Sequence, residues 1–244
     1  MYSLTILQRI VTVNSNSWSF FDKVYCISIA GRSDRRQEAR QQFAAVGLQR
    51  LVEFVIVNKH PISPAEGCYQ SHITCLKKAA AAGARHILIF EDDIIFKGFS
   101  EAKIKEATEF LRANPHWEMM FLGCIISQSA GTADKSVRRI KYRCLSHAYA
   151  VNRPFAAELA ARPWQGIPYD TFLARMNKEF YALYPACAFQ SNAATDNRFF
   201  IDKLRRALGG LAFIQRANEI FHRHKGVIII SHLGILAALL YAFL

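Results

Sequence analysis

Residues 86–93, HILIFEDD, form a short apolar run that ends in three consecutive acidic side chains, Glu91, Asp92 and Asp93. The apolar part, residues 86–90, has the length and composition of a buried strand. Three carboxylates crowded directly after such a strand repel one another unless a positive charge lies close to them. Their oxygen atoms suit Mg²⁺ or Mn²⁺, and a nucleotide diphosphate would complete the coordination of such an ion. Taken alone, the triplet is also compatible with a solvated acidic turn.

The segments on both sides of this stretch alternate between strand and helix patterns. Strands are predicted at residues 23–29, 51–57, 117–122, 143–151 and 180–189, and a loop at residues 123–137. Helices are predicted at residues 33–46, 64–82, 101–112, 154–161 and 170–177, with Ser33 and Ser63 as caps and Gly47 and Gly83 as ends. This alternation predicts a layered α/β domain with a largely parallel sheet, whose ligands bind beyond the carboxyl ends of the strands.

The composition is that of a folded and basic protein. Of the 244 residues, 52% are hydrophobic and 20% are charged, which excludes a mainly disordered chain. The 31 basic and 19 acidic residues give a net charge of +12, which favours polyanionic partners: nucleic acid, anionic membranes or phosphorylated substrates. The basic residues are spread along the chain without a recognised nucleic-acid-binding signature. A nucleic-acid-binding protein is therefore the disfavoured alternative, and no nucleic-acid partner is expected.

The six cysteines indicate a reducing compartment. They form no C-x-x-C pair, and none has the His/Cys spacing of a zinc site. Most lie in apolar runs, where a reduced thiol behaves as a small hydrophobic side chain. Residues 1–13 are short and lack a small-residue cleavage site, so no secretory signal is predicted and a cytoplasmic protein is expected.

Several motifs follow one another in a fixed order. They are residues 24–29 (VYCISI) with Arg32, Asp34, Arg35 and Arg36, residues 67–72 (GCYQSH), residues 88–93 (LIFEDD), residues 148–151 (AYAV), residues 168–170 (PYD), and Tyr184-Pro185 with Gln190. This ordered set resembles the core signature of glycosyltransferase family 25, which includes bacterial lipooligosaccharide galactosyltransferases. The resemblance extends over roughly residues 23–200.

The resemblance implies a GT-A-like, Rossmann-type mixed α/β sheet flanked by helices in a single domain at residues 23–200. An N-terminal extension would occupy residues 1–22, and a basic and apolar tail residues 201–244. The implied activity is transfer of a hexose, galactose before glucose, from a UDP-sugar to a glycan or lipid-linked glycan of the lipopolysaccharide or lipooligosaccharide type. Transfer would invert the sugar carbon and use Mn²⁺ or Mg²⁺, which neutralises the leaving nucleotide.

The resemblance also assigns roles to individual residues. Asp93 and Glu91 would hold the metal, and Asp170 would be the general base for the acceptor hydroxyl. The nucleotide-sugar would contact Ser28, Arg32, Arg35, Arg36, His72, Glu91 and Asp92. Guanidinium groups at a helix N-terminus suit phosphate recognition.

Each of these roles has a structural alternative. The three arginines are also compatible with a solvated first helical turn. His72 is equally compatible with a packed helical side chain, and Asp170 with a helix N-cap. The whole domain is compatible with a GT-A-fold protein that has lost catalysis and serves as a binding module.

The C-terminal stretch, residues 227–244, is uncharged and nearly continuous in apolar side chains. Its 18 residues approach the roughly 20 that span a bilayer, and His222, Arg223, His224 and Lys225 directly precede it. Membrane association is predicted, at the cytoplasmic face of the inner membrane. The alternative is a C-terminal helix buried against the sheet.

Overall fold

A computed structural model describes residues 17–191 and 210–242 of the chain. Residues 1–13, for which no signal is predicted, and residues 201–209 of the predicted tail lie outside the described residues. The three predicted domain ranges stay predictions.

The strands are numbered in chain order. They are β1 (Lys23–Ile29), β2 (Val52–Val57), β3 (His86–Glu91), β4 (Ile94–Phe96), β5 (Met119–Phe121), β6 (Ile125–Gly131), β7 (Val137–Cys144), β8 (Ala148–Asn152), β9 (Glu179–Leu183) and β10 (Ala188–Gln190). The helices are a 3-10 turn (Ser17–Phe20), α1 (Ser33–Ala45), α2 (Pro64–Ala81), α3 (Glu101–Ala113), α4 (Arg153–Ala160), α5 (Tyr169–Arg175) and α6 (Gly210–Ala242).

Eight strands form one sheet in the order β2-β1-β3-β8-β5-β9-β7-β6. β1 pairs in parallel with β2 and β3, and β5 with β9, whereas the remaining pairs are antiparallel. Helices cover both faces of the sheet. This architecture confirms the predicted GT-A-like α/β fold class. Because β1, β2 and β3 run in parallel, their carboxyl ends meet at one edge, where Ile29 lies beside Val57 and Ile27 beside Glu91.

The side chains of β3 alternate between two apolar clusters, one on each face of the sheet. Ile87 and Ile89 pack towards α2, α4 and α5, whereas Leu88 and Phe90 pack towards α1 and α3. All four are at most 1% exposed. Burial of each such side chain contributes about 1.5–3 kcal/mol. The strand that carries the acidic triplet is therefore fixed from both sides.

The largest difference from the prediction concerns the antiparallel half of the sheet. Residues 123–137 were predicted to form a loop, but they contain β6 and the start of β7. The prediction is wrong because β6 is an edge strand with mostly exposed polar side chains, which lacks the apolar run used to recognise a strand. The predicted strand at 143–151 is also two strands, separated at Leu145, where φ is +76°.

The two predicted helix caps differ in outcome. The Ser63 hydroxyl accepts a hydrogen bond from the Glu66 amide at 3.2 Å, which confirms the cap of α2. The Ser33 cap is wrong: Arg32 occupies the N-cap position of α1, and no side chain caps this helix. The cause is a turn in which the Arg32 amide bonds to the Ile29 carbonyl, so that the helix starts directly after β1.

Helix α6 has two halves that meet at a kink at His224, where φ is −109° and ψ is 17°. In the first half, Asn218 bonds to both backbone groups of Ile126 in edge strand β6, at 2.9 and 3.1 Å. Gln215, 1% exposed, donates to the Ala188 carbonyl at 2.9 Å. The first half therefore belongs to the folded domain.

The second half of α6 is exposed. Its large apolar side chains, Val227, Ile229, Ile230, Leu233, Ile235, Leu236, Leu239, Leu240 and Tyr241, are between 43% and 84% exposed. The alternative of a helix buried on the sheet is therefore wrong for this segment. By length and composition, α6 is one helix that could cross a membrane.

We predict that Gly123→Ala destabilises the fold by about 1–3 kcal/mol, the usual cost of overpacking. A Cβ at Gly123 would collide with the Ala188 carbonyl and the Gln215 side chain, which join β10 and α6 to the sheet. Gly131→Ala is the matched control, since its Cβ would meet only the Arg138 guanidinium, at 3.7 Å. Urea unfolding followed by circular dichroism measures both. Equal losses in the two variants would contradict this packing argument.

Candidate active site

A cleft of about 260 Å³ opens at the carboxyl ends of β1, β2 and β3. Seven of the predicted site residues line it: Ser28, Arg32, Arg35, His72, Glu91, Asp92 and Asp93. Residues on β1, α1, α2 and β3, far apart in sequence, are thus brought together where the strand-end rule places a ligand. Gln190 of β10, which is part of the last motif, also lines the cleft.

The acidic triplet is largely buried. Glu91 ends β3, and Asp92 and Asp93, 7% and 6% exposed, form the tight turn into β4. Arg35 Nη1 lies 3.4 Å from Asp92 Oδ1 and 3.7 Å from Asp93 Oδ2. Asp92 Oδ2 and Asp93 Oδ1 are buried, and neither has a hydrogen-bond partner among residues 17–191 and 210–242. The solvated-turn alternative is therefore wrong for Asp92 and Asp93.

The carboxylates differ in their electrostatic environment. Burial, reinforced by the charge of Glu91, raises the pKa of Asp93 to about 7, although Arg35 and a hydrogen bond from Gln190 at 2.9 Å oppose the shift. Burial also raises the pKa of Glu91, but contact with His72 outweighs it and holds this pKa below its usual range. The pKa values of Asp93 and Glu91 are thus shifted in opposite directions.

The three predicted arginines lie in different environments. Arg35 faces the acidic pair, whereas Arg32 forms a bidentate contact with exposed Asp34, at 2.8 to 3.2 Å. Hydrogen bonding by Arg32 lowers the pKa of Asp34 to about 2. Arg36 bonds to the Ser28 hydroxyl at 3.1 Å and to the carbonyls of residues 29 and 30 at 2.6 and 2.9 Å. Arg36 therefore holds the end of β1 and does not line the cleft.

His72 is fully buried and precisely oriented by two tyrosines. Its Nδ1 lies 3.0 Å from the Tyr149 hydroxyl, which lies 3.1 Å from the Tyr169 hydroxyl. Its ring stacks on Tyr169, with centroids 4.2 Å apart and planes 8° from parallel. Its Nε2 is directed at Glu91 Oε1, 3.5 Å away. His72 is thus both packed and directed into the cleft.

Asp170 lies in the first turn of α5, but Pro168 occupies the N-cap position. The Asp170 carboxylate accepts hydrogen bonds from the Tyr142 hydroxyl at 2.6 Å and from the amides of Leu145 and Ser146, each at 3.0 Å. The N-cap alternative is therefore wrong. Asp170 joins α5 to the segment between β7 and β8, where Leu145 has its positive φ.

Other residues at the cleft were missed by sequence analysis. Asn58, Lys59 and His60 line it directly after β2, as the strand-end rule suggests, but no motif marked them. Cys68 lies one helical turn before His72, and their ligand atoms, with that of Glu91, are within 4.8 Å of one another. The spacing of residues along the sequence did not reveal this cluster, because Glu91 belongs to β3 whereas Cys68 and His72 belong to α2.

The model of glycosyltransferase family 25 (LPS biosynthesis protein) matches residues 56–173. The predicted resemblance to glycosyltransferase family 25 is confirmed. The family 25 match includes α2, β3, the acidic triplet and Asp170. A human protein named "Inactive glycosyltransferase 25 family member 3" is 25% identical over 188 residues, which cover 64% of this chain. The chain spans about a third (32%) of the length of that protein.

Two solved structures are similar in outline. A197 from STIV gives a TM-score of 0.48 at 12% identity, over 69% of this chain and 85% of that one. A glycosyltransferase involved in glycosylation of the major capsid of PBCV-1 gives a TM-score of 0.35 at 8% identity, over 56% and 63% of the two chains.

We predict that Asp170→Asn destabilises the fold by about 1–3 kcal/mol, because an amide cannot accept all three hydrogen bonds and leaves a donor unpaired. Thermal and urea unfolding measure the loss. Asp34→Asn is the control, since Asp34 pairs with Arg32 on the surface, and we expect a much smaller change there. A wild-type midpoint for Asp170→Asn would show that these hydrogen bonds contribute little.

Proposed function

We propose that this chain is a metal-dependent glycosyltransferase that moves a hexose, galactose in the first place, from a UDP-sugar to a lipopolysaccharide-type glycan by inverting displacement. The observation that carries the proposal is the pair of buried, unpartnered carboxylate oxygens on Asp92 and Asp93, in a cleft that also contains Arg35. Such oxygens favour a cation, and a cation with arginine favours a diphosphate.

The residues present fit a hard divalent cation. Asp93 Oδ1 is our primary ligand, and Asp92 Oδ2 is suited to share the ion, since each lacks a hydrogen bond. Glu91, the other predicted ligand, is directed at His72 and suits contact with the ribose or the sugar as well. The metal, Mn²⁺ or Mg²⁺, would neutralise the charge on the leaving diphosphate.

Arg35 and Arg32 suit the donor phosphates. Arg35 already lies within 3.4 to 3.7 Å of the acidic pair, so it can move from these carboxylates to a diphosphate once a cation neutralises them. Arg32 is at the N-terminus of α1, which favours anions. Arg36 is a positioning residue, because its hydrogen bonds to the Ser28 hydroxyl and the Ile29 carbonyl fix the carboxyl end of β1.

We retain Asp170 as the proposed base for the acceptor hydroxyl, because an inverting displacement requires one. Asp170 does not itself line the described cleft, so the acceptor would bind beside it. Its hydrogen bonds to Tyr142, Leu145 and Ser146 also give it a structural task, so stability and rate are measured separately. At a temperature where Asp170→Asn is folded, a fall in rate of more than about tenfold with unchanged donor affinity supports the base.

The alternative is a GT-A-fold module that binds a nucleotide-sugar without transferring it. The human relative carries the word inactive in its name, and Arg35 forms ion pairs with the carboxylates that a metal would use. Tight binding of UDP without turnover would favour this alternative.

The decisive experiment measures Mn²⁺-dependent release of UDP from UDP-galactose and UDP-glucose. We predict that Asp93→Asn abolishes release, because it removes the primary metal ligand. Glu109→Gln, which changes an exposed carboxylate of α3 outside the cleft, is the control and should retain release. Release at the wild-type rate by Asp93→Asn would refute the ligand assignment.

Asp93→Asn also has a predicted stability signature without metal. Because the pKa of Asp93 rises from 3.8 to about 7 on folding, the folded state holds an extra proton between these values. Wild-type stability therefore falls as pH rises through this window. We therefore expect the free energy of unfolding of Asp93→Asn, measured in EDTA, to increase relative to that of the wild type as the pH rises from 4 to 7. This is the pH range between the two pKa values.

We further propose that the second half of α6 holds the protein at the cytoplasmic face of the inner membrane, near a lipid-linked acceptor. The exposed apolar side chains of the second half, from Val227 onwards, follow closely on the basic residues at the kink, His222, Arg223, His224 and Lys225. This order suits an anionic membrane surface, with apolar side chains inserted and basic ones at the headgroups.

We predict that the full-length chain sediments with phosphatidylglycerol vesicles and that a chain ending at Lys225 does not. The variant Leu233→Lys/Leu236→Lys is a length-matched control, since both side chains are exposed and a charge in the apolar layer is costly. It should remain in the supernatant with its fold intact. Equal sedimentation of all three proteins would contradict membrane association through this helix.

A further inference from the structure

We infer that Cys68, His72 and Glu91 form a second metal site, which takes a zinc-like divalent cation through one sulfur, one nitrogen and one oxygen. The site lies beside the proposed Asp92–Asp93 site but includes a sulfur and a nitrogen ligand, which the Asp92–Asp93 pair lacks. It does not require that the chain transfers sugars, since its evidence is the geometry of three side chains.

The backbone brings the three ligands together. Cys68 and His72 are four residues apart on α2, so they lie on the same helix face. Glu91 ends β3, which packs beside α2. Their ligand atoms all lie within 4.8 Å of one another.

The distance between two of the ligands already fits a tetrahedral ion. His72 Nε2 and Glu91 Oε1 are 3.5 Å apart. Two ligands at the usual zinc distances from a tetrahedral centre are about 3.4 Å apart. The Cys68 sulfur lies within 4.8 Å of both of these atoms, and this cysteine is free to bind an ion.

An independent observation points to a ligand at this position. His72 is 0% exposed, and its Nε2 has no hydrogen-bond partner in the described part of the chain. A buried polar atom without a partner is unfavourable unless something binds it. In the described part of the chain, Glu91 Oε1 lies 3.5 Å from this atom, at the long limit for a hydrogen bond.

The surroundings of His72 are those of a metal-bound imidazole. In the tautomer where Nδ1–H donates to the Tyr149 hydroxyl, and Tyr149 donates to Tyr169, Nε2 carries a lone pair. Stacking on Tyr169 fixes the ring plane. Metal-ligating histidines use their second nitrogen in this way, which orients the ring and strengthens the bond.

The ligand set selects the ion. A thiolate and an imidazole favour zinc over Mg²⁺ or Mn²⁺, whereas the all-oxygen Asp92–Asp93 pair favours the harder ions. Three protein ligands leave the fourth position of a tetrahedral ion for water or for an oxygen of a ligand in the cleft. Cys68 lines that cleft.

The test uses Co²⁺, which replaces zinc and gives an ultraviolet charge-transfer band when bound to a thiolate. The reduced, metal-free full-length protein is titrated with Co²⁺, and Zn²⁺ is then added. We expect the band to saturate at one equivalent and to disappear with zinc. Cys68→Ser should lose the charge-transfer band. His72→Gln should weaken Co²⁺ binding at least tenfold, and Tyr149→Phe should weaken it roughly tenfold.

Cys144→Ser is the matched control, since Cys144 is also partly exposed and lies outside the cluster, and it should keep the band. Asp93→Asn should keep it as well, which separates this site from the proposed transferase metal. No band in the wild type, or an undiminished band in Cys68→Ser, would overturn the inference. Circular dichroism confirms folding, and if His72→Gln is unfolded, the comparison of Cys68→Ser with Cys144→Ser decides.

Discussion

The burial of β3 on both faces of the sheet is the constraint on which the site depends. Leu88 and Phe90 pack on one side and Ile87 and Ile89 on the other, so the strand cannot move without exposing one of two apolar clusters. The next residues in the chain are therefore carboxylates at a fixed position on a low-dielectric edge. Their desolvation raises the pKa of Asp93 and makes a nearby cation favourable.

Ionic contacts with the acidic triplet position the other charged side chains of the cleft. The start of α1 directly after β1 brings Arg35 against Asp92 and Asp93, while Arg36 closes the end of β1. On the other side of the triplet, α2 directs His72 at Glu91. The carboxylates are thus divided between an arginine and a histidine, and the two cation sites that we propose follow this division.

The antiparallel half of the sheet stabilises the strand that carries the site. Asp170 ties α5 to the segment before β8, and β8 pairs with β3 along its length. At the far edge, Asn218 of α6 forms hydrogen bonds with both backbone groups of Ile126 in β6. The same helix leaves the domain at His224 and becomes exposed, so its two halves have different environments despite continuous helical sequence.

The sequence alone determined the parallel strands, the Ser63 cap, the acidic triplet and the family resemblance, because each depends on neighbouring residues in the chain. It also predicted a ligand site at the end of β3. It missed edge strand β6, whose polar residues carry no apolar pattern, and it could not distinguish Arg35 from Arg36. Only the tertiary structure decided those points, as well as the partners of Asp170, the approach of Cys68 and His72 to Glu91, and the exposure of the second half of α6. Each depends on distances between elements far apart in sequence, and local patterns carry no information about such distances.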